Sequence, residues 1–333
     1  MLFGDAAAAI VLGTEGVVAT LEGSYTTSYD FPDYRRLALD RFVRSTEDRF
    51  IREEGYGKLI PGVVSGILKN YKLEARDIAR VSFPHNNIRE QAGIGAKLGF
   101  TPEQILTPLN AVIGETGTVS PLLSLAAMLE EAKAGDTLLV VGYGNGADAL
   151  LFQVTPEIER IKDEAKLKKA LANGGKLNSY EKYLVFRGML PVPALEKEIN
   201  RTYHPHLWRE QGAILSLHGT KCKKCGTAQY PPQRICVNPA CNATDEMETY
   251  YFAEKNARLF SFTEDFTSTT ANPPLIYVFV DFEGGGRWLF DITDVEAGTL
   301  KLGLNVKMSL RVKYLDNVRG FVGYFWKAVP VRG

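Results

Sequence analysis

The sequence has 333 residues, with 39 basic and 39 acidic side chains, 45% hydrophobic residues and 23% charged ones. This composition belongs to ordinary globular proteins and excludes collagen-like and wholly disordered chains. A formal net charge of zero removes the bulk attraction that draws a nucleic-acid coat or a membrane-surface protein to its partner, so neither nucleic acid nor membrane is expected as a partner.

In chain order, residues 6–12 form a continuous apolar run and are expected to be a buried strand, and 17–24 alternates as a second strand. Asp5 and the lack of a basic start argue against a signal peptide. Residues 34–56 set Leu39, Phe42, Phe50 and Ile51 among charges, which predicts an amphipathic helix, open to interruption. Helices are expected over 60–71, 90–98 and 120–134, with strands over 77–83, 136–143 and 147–154. This order is that of a layered α/β domain over residues 1–155.

Residues 156–179 are strongly charged and end in Asn173-Gly174-Gly175, the expected linker. A helical lead-in over 180–211, broken near Pro191 and Pro193, precedes a small β region. That region divides into a cysteine ribbon at 212–250 and a closed barrel at 251–330, built from runs such as 275–282, 288–292, 306–314 and 320–326.

All four cysteines fall between Cys222 and Cys241. Cys222, Cys225, Cys236 and Cys241 give C-x2-C, a ten-residue spacer and C-x4-C, two close pairs able to meet at one tetrahedral metal ion. Four sulfurs leave no open coordination position, so the expected Zn²⁺ is structural; iron in a rubredoxin-like site is the rival, and four bare thiols would oxidise readily. Lys221, Lys223, Lys224 and Arg234 then offset the negative zinc–thiolate centre without implying nucleic acid. Clustered cysteines outside a disulfide framework point to a reducing, cytoplasmic compartment.

Four segments of the first domain resemble one family. Residues 2–12, Leu-Phe-Gly-Asp-Ala-Ala-Ala-Ala-Ile-Val-Leu, are similar to the Gly-Asp-Gly-Ala-Gly-Ala strand of the thiolase superfamily, in the branch of the chain-initiating 3-ketoacyl synthases and HMG-CoA synthases. Pro84-His85-Asn86-Asn87-Ile88-Arg89 resembles that family's Pro-His-Gln-Ala-Asn-x-Arg, one residue shorter, and residues 114–121 stand where it has Gly-Asn-Thr-Ser-Ala-Ala-Ser. The stretch from Gly135 to Gly146 resembles its closing Gly-Asp, strand, Gly-x-Gly-x-Gly element. The second half resembles the zinc-ribbon plus OB-fold domain that accompanies acyl-CoA thiolases and HMG-CoA synthase-like enzymes, through Trp208-Arg209-Glu210, residues 219–226, residues 229–234, Glu283 to Arg287 and Tyr324-Phe325-Trp326-Lys327. The resemblance therefore implies an α/β thiolase-like half-fold followed by a rubredoxin-like zinc ribbon and an OB-fold barrel.

The resemblance implies Claisen-type chemistry on CoA thioesters, with acyl-CoA as substrate and a cysteine thiolate as acyl acceptor. The family's cysteine lies upstream of the Gly-Asp-Gly-Ala strand, and every cysteine here is claimed by the ribbon. The nucleophile is thus expected outside this chain, on a polypeptide carrying the thiolase first half, with self-association as the other arrangement. His85 is the expected donor or base, since a neutral imidazole N–H can polarise a thioester oxygen. A lone histidine otherwise reads as a packing or surface residue. Glu115 occupies the position of the family's amide donor, and an ionised carboxylate only accepts. It is a candidate base, a protonated donor, or the mark of a diverged site. Asn110, Asn86 and Asn87 are nearby amides. The rival reading is a non-catalytic scaffold or CoA-handling subunit, and a nucleic-acid-binding ribbon stands behind both. Gly142-x-Gly144-x-Gly146 lacks a following helix for phosphate and is expected to be a tight hairpin. His204, His206 and His218 are expected to be surface or packing residues.

Overall fold

The computed structural model describes residues 3–331, apart from 32, 41, 85–87, 163–165, 191–202, 269, 271 and 317. These residues form two compact units, divided between Gly174 and Gly175.

The first unit contains strand β1 (Ala19–Ser28), the two-residue strands β2 (Tyr34–Arg35) and β3 (Arg44–Ser45), helices α1 (Asp48–Phe50) and α2 (Gly57–Tyr71), strand β4 (Arg80–Ser82), helices α3 (Ile88–Lys97), α4 (Asn110–Ile113) and α5 (Ser120–Leu129), strands β5 (Thr137–Gly144) and β6 (Gly146–Val154), and helix α6 (Lys166–Ala172). Its main sheet has the order β1-β6-β5-β4, antiparallel except for the parallel pair β4/β5. On β5, Leu139 and Val141 join a core with Ile60, Val63 and Ile67 of α2, whereas Leu138 and Val140 join a second core with Leu125 and Met128 of α5. A strand covered on both faces needs no polar alternation, which is why Leu138 to Val141 reads as an unbroken apolar run.

Two expectations fail in this unit. Residues 6–12 make no strand and stand exposed, with Val11 96% and Leu12 89% accessible; just before them Phe3 bridges to Glu115. Apolar content alone does not make a strand where no neighbouring ladder pairs with it. Residues 34–56 are not one helix. Asp40 accepts from the Leu37 N–H at 3.1 Å and from the Arg44 guanidinium at 2.6 Å, fixing a turn between β2 and β3. The helix starts only at α1, where the Glu47 carboxylate caps the N–H groups of Arg49 and Phe50, both at 2.8 Å. It then runs through a π-helical segment, Ile51–Tyr56, into α2.

The charged stretch expected to link the domains is held by the first unit. Ile158 is buried, Leu167 packs on the α5 core, Glu130 accepts from the Lys168 N–H at 3.2 Å, and Lys168 pairs with Glu131 at 2.8 Å. Its exposed charges dominate the sequence pattern, while Ile158, Ile161 and Leu167 anchor it.

In the second unit, helices α7 (Tyr180–Phe186), α8 (His204–Arg209) and α9 (Gln211–Leu215) precede a three-stranded ribbon of β7 (His218–Cys222), β8 (Ala228–Gln229) and β9 (Met247–Tyr251), in the order β8-β7-β9. Five further strands follow: β10 (Ala257–Asp265), β11 (Leu275–Phe282), β12 (Arg287–Asp291), β13 (Asn305–Asp316) and β14 (Phe321–Pro330), in the antiparallel order β12-β11-β10-β13-β14. A parallel bridge from Ile292 to Ala328 brings the end of β12 onto β14 and closes the curl, which removes the sheet edges there. Phe252 is fully buried where ribbon meets barrel, its ring 4.9 Å from Phe282 and 5.0 Å from Tyr250. Gly219 and Gly286 leave room for it, since a Cβ on either would come within 2.7 Å of the ring. Phe252→Ala is therefore expected to destabilise this unit by about 3–5 kcal/mol, read from urea unfolding of the full chain. Among the described residues no helix is long and apolar enough to cross a membrane.

Candidate functional sites: a cleft and a four-cysteine centre

A cleft of about 1100 Å³ opens in the first unit beside the β5–β6 hairpin. Its floor is Gly142 to Asp148, one wall is the π-helical segment, and Glu115 and Pro84 line it as well. The hairpin is as tight as the glycine spacing predicts: Gly144 pairs with Gly146 across Asn145 alone. Gly146 has φ +118°, and a Cβ there would lie 2.0 Å from the Thr27 carbonyl oxygen. Gly146→Ala is expected to separate β6 from β1 at the cleft floor and lower the melting temperature of the full chain, by the large margin of a forbidden backbone conformation.

The π-helical segment turns Ile51, Arg52 and Tyr56 toward the cleft. Such segments interrupt α-helices chiefly where a side chain must be re-aimed. Gly55 within it is forced by packing, because a Cβ would sit 2.5 Å from the Phe31 ring and 2.6 Å from the Tyr143 hydroxyl. Across the opening, Arg52 reaches Glu90 of α3 at 3.4 Å.

Glu115 lines the cleft, and its carboxylate accepts the Gly117 N–H at 2.8 Å. Its backbone oxygen accepts from Gly4 N–H at 2.9 Å. His85, Asn86 and Asn87 lie outside the described residues, while Pro84 before them and Glu90 after them line the cleft. Asn110 opens α4 and is not part of the lining.

Sequence reasoning missed Asp33 and Tyr143. Asp33 is only 6% exposed, one carboxylate oxygen accepts the Tyr34 N–H, and the other has no hydrogen-bond partner among the described residues. Burial raises its pKa above the usual carboxylate range, against the lowering effects of the Tyr34 N–H and the nearby Tyr143 hydroxyl. That hydroxyl is itself buried and outside hydrogen-bond geometry with any described residue, and burial pushes its pKa up. The sequence signal was an acid inside the aromatic run Tyr29, Phe31, Tyr34, where Asp30 and Asp33 look alike.

In the ribbon, the four sulfurs of Cys222, Cys225, Cys236 and Cys241 lie within 4.8 Å of one another. Cys222 and Cys241 are 3.9 Å apart and Cys225 and Cys236 3.4 Å, close to the roughly 3.8 Å edge of a tetrahedron with ~2.3 Å metal–sulfur bonds. Thr227, through its hydroxyl and backbone N–H, brings the Cys225 thiol down to about 6, which favours the thiolate a metal needs. The residues fit a closed four-sulfur metal site, as their spacing predicts.

Residues 68–153 match the family described as 3-oxoacyl-[acyl-carrier-protein] synthase III C terminal, and residues 209–248 match the ChsH2 rubredoxin-like zinc ribbon domain. The chain thus joins a synthase III-type C-terminal region to a ChsH2-type zinc ribbon. Among curated relatives, the hydroxymethylglutaryl-CoA synthase of Methanopyrus kandleri is 35% identical over 48% of this chain and 46% of that protein. The enzyme of the same name from Methanobrevibacter smithii is 32% identical over 56% of this chain and 54% of its own length. The chain spans about half the length of the curated relatives it matches. Among solved structures, MvaS in complex with 3-hydroxy-3-methylglutaryl coenzyme A is 19% identical with a TM-score of 0.40, covering 53% of this chain and 51% of that one. An Ltp2–ChsH2(DUF35) aldolase is 16% identical with a TM-score of 0.30, covering 40% of this chain and 98% of that one.

Proposed function

We propose that this chain is a component of an acyl-CoA condensing or thiolytic enzyme of the HMG-CoA synthase type, making or breaking a carbon–carbon bond on CoA thioesters with a nucleophilic cysteine supplied from outside the chain. The observation that carries this reading is a conjunction: a synthase III-type segment with relatives called HMG-CoA synthases, in a chain whose four cysteines all converge on one centre. A sulfur held by metal is unavailable to form an acyl-enzyme. His85 is the proposed donor or base, and Glu115 the second polar group of the cleft. We read the metal as structural Zn²⁺, the barrel as OB-type from its strand order and parallel closure, and its role as bridging subunits and holding the CoA moiety. The partner is a polypeptide with the thiolase first half, or a second copy of this chain, in a reducing cytoplasm.

The test is condensation and thiolysis of acyl-CoA by the zinc-loaded chain, alone and mixed with a thiolase first half carrying its cysteine. Activity only in the mixture is the expected result; full activity of the chain alone would overturn the external nucleophile. Glu115 favours a second reading, a CoA-handling scaffold, because an acceptor stands where the resembling family places an amide donor.

A further inference from the structure

Gln91 of α3 is a polar side chain only 2% exposed. Its amide Nε2 donates to two backbone carbonyls, that of Phe83 at 3.0 Å and that of Leu106 at 3.2 Å. These carbonyls stand where a parallel pairing stops. Alongside β4, the Val81 N–H donates to the Gln104 oxygen and the Leu106 N–H to the Val81 oxygen, both at 2.8 Å. In that pattern the next donor to the Phe83 carbonyl would be residue 108, which is Pro108 and has no N–H. The Gln91 amide takes up both carbonyls as the two segments part.

Both segments lead to the candidate groups of the cleft. His85 follows Phe83 by two residues, and the chain rejoins described structure at Ile88, where α3 begins; Glu115 follows Leu106 by nine. Gln91 therefore ties the start of the His85 segment to the helix that ends it, and ties both to the segment that leads to Glu115. Beside it in sequence, Glu90 meets Arg52 at 3.4 Å, a second tether from α3 to the π-helical wall. Packing alone does not call for an amide here. A leucine would fill the site without the cost of burying a polar group, so what the amide contributes is its hold on two carbonyls.

We propose that Gln91 is a positioning residue, whose amide sets the placement of the His85 segment at the cleft by clasping the Phe83 and Leu106 carbonyls. This rests on the reading of His85 as donor or base given above and adds to it the side chain that holds its segment in register. A displacement of about 1 Å in a reacting group can cost about 10²-fold in rate. Gln104 offers the comparison. Its amide nitrogen clasps the Ala75 and Ile78 carbonyls at 2.7 and 2.5 Å, and its oxygen accepts the Thr101 N–H at 2.8 Å, the same kind of strap ahead of β4 and away from the His85 segment.

The experiment has a spectroscopic arm and a kinetic one. His85 is one of four histidines, so His85→Ala assigns its ring Cε1–H resonance in the zinc-loaded full chain. Gln91→Met keeps the unbranched shape and removes both bonds. It is expected to shift the His85 resonance while the other three stay in place. In the assembly with a cysteine-bearing first half it should lower kcat about 10²-fold with KM little changed. Gln104→Met, which loses at least as many hydrogen bonds, should lower the melting temperature as much and change neither readout. Gln91→Glu is equal in length and, when protonated, donates to one carbonyl; it should fall between wild type and Gln91→Met, nearing wild type as pH is lowered, and it serves in both arms should the methionine variant not fold. An inactive wild-type assembly, or His85→Ala with unchanged kcat, overturns the His85 reading and this proposal together. An unmoved His85 resonance or unchanged kcat in Gln91→Met, Gln91→Glu equal to wild type at every pH, or an equal fall of kcat in Gln104→Met overturns this proposal alone.

Discussion

Replacing Cys236 with serine, or stripping the full chain with a strong chelator, is expected to take bound metal from about one per chain to none and to unfold the ribbon around Cys222–Cys241. The reason is what the ribbon lacks. Its own buried cluster is Cys222, Cys236 and Ala243, with Cys241 and Met247 packed against it, and contains no Leu, Ile or Phe. At roughly 25 cal/mol per Å² of apolar surface, so small a core cannot offset the conformational entropy of ordering the segment. Metal binding must do so, and structural Zn²⁺ supplies apparent free energies of about 10–16 kcal/mol in comparable small sites. Without metal, four thiols within 4.8 Å leave the Cys225 thiolate beside sulfurs with no cation between them. The exposed Arg234–Asp245 pair, 2.6 Å at its closest, adds little of its own.

Unfolding should not stop at the ribbon. Ala228 and Tyr230 of the ribbon belong to the same core as Phe252, Leu259 and Phe290, and Ala228 bridges to Gly285 of the β11–β12 turn. Hydrogen exchange is the measurement: protection lost over β7–β9 and weakened at β11 and β12. Full protection in Cys236→Ser with metal absent would show that the apolar core carries the ribbon by itself.

What was legible in the sequence follows from how locally each feature is determined. The cysteine site was readable because ligand spacing within two short turns fixes its geometry without help from the rest of the fold. The strands β5, β6 and β11 were readable because runs such as Leu138 to Val141 are β-branched or leucine throughout and lie covered on both faces. Residues 6–12 have the same apolar character and yet lie exposed, because pairing depends on a neighbour and a local pattern cannot show whether one is there. The helix expected over 34–56 failed through competition: the Asp40 carboxylate takes up the Leu37 N–H, and the turn wins over a weakly amphipathic helix. Asp33 was invisible for a related reason. Its character comes from burial and from Tyr143, a full 110 positions downstream, which no local pattern links to it.

In the assembly formed with a cysteine-bearing first half, His85→Ala is expected to lower kcat by about 10²–10⁴-fold, the usual contribution of a positioned acid or base, with a smaller change in KM. Glu115 then separates the readings that remain. Its carboxylate accepts from Gly117 N–H at 2.8 Å, so Glu115→Gln can keep that bond through its carbonyl oxygen while turning an NH₂ donor into the cleft. If the reaction needs a second donor at the thioester oxygen, Gln should raise kcat, because a donor aimed at developing negative charge is worth about 2.7–4 kcal/mol in the transition state. If Glu115 acts as a base, Gln removes the proton acceptor and kcat should fall as steeply as in His85→Ala. A scaffold that only handles CoA responds to neither substitution in kcat. Asn, one methylene shorter, can also accept the N–H two residues on, as in an Asx turn, so Glu115→Asn falling below Glu115→Gln would show that the reach of the amide into the cleft, and not its presence alone, sets the effect.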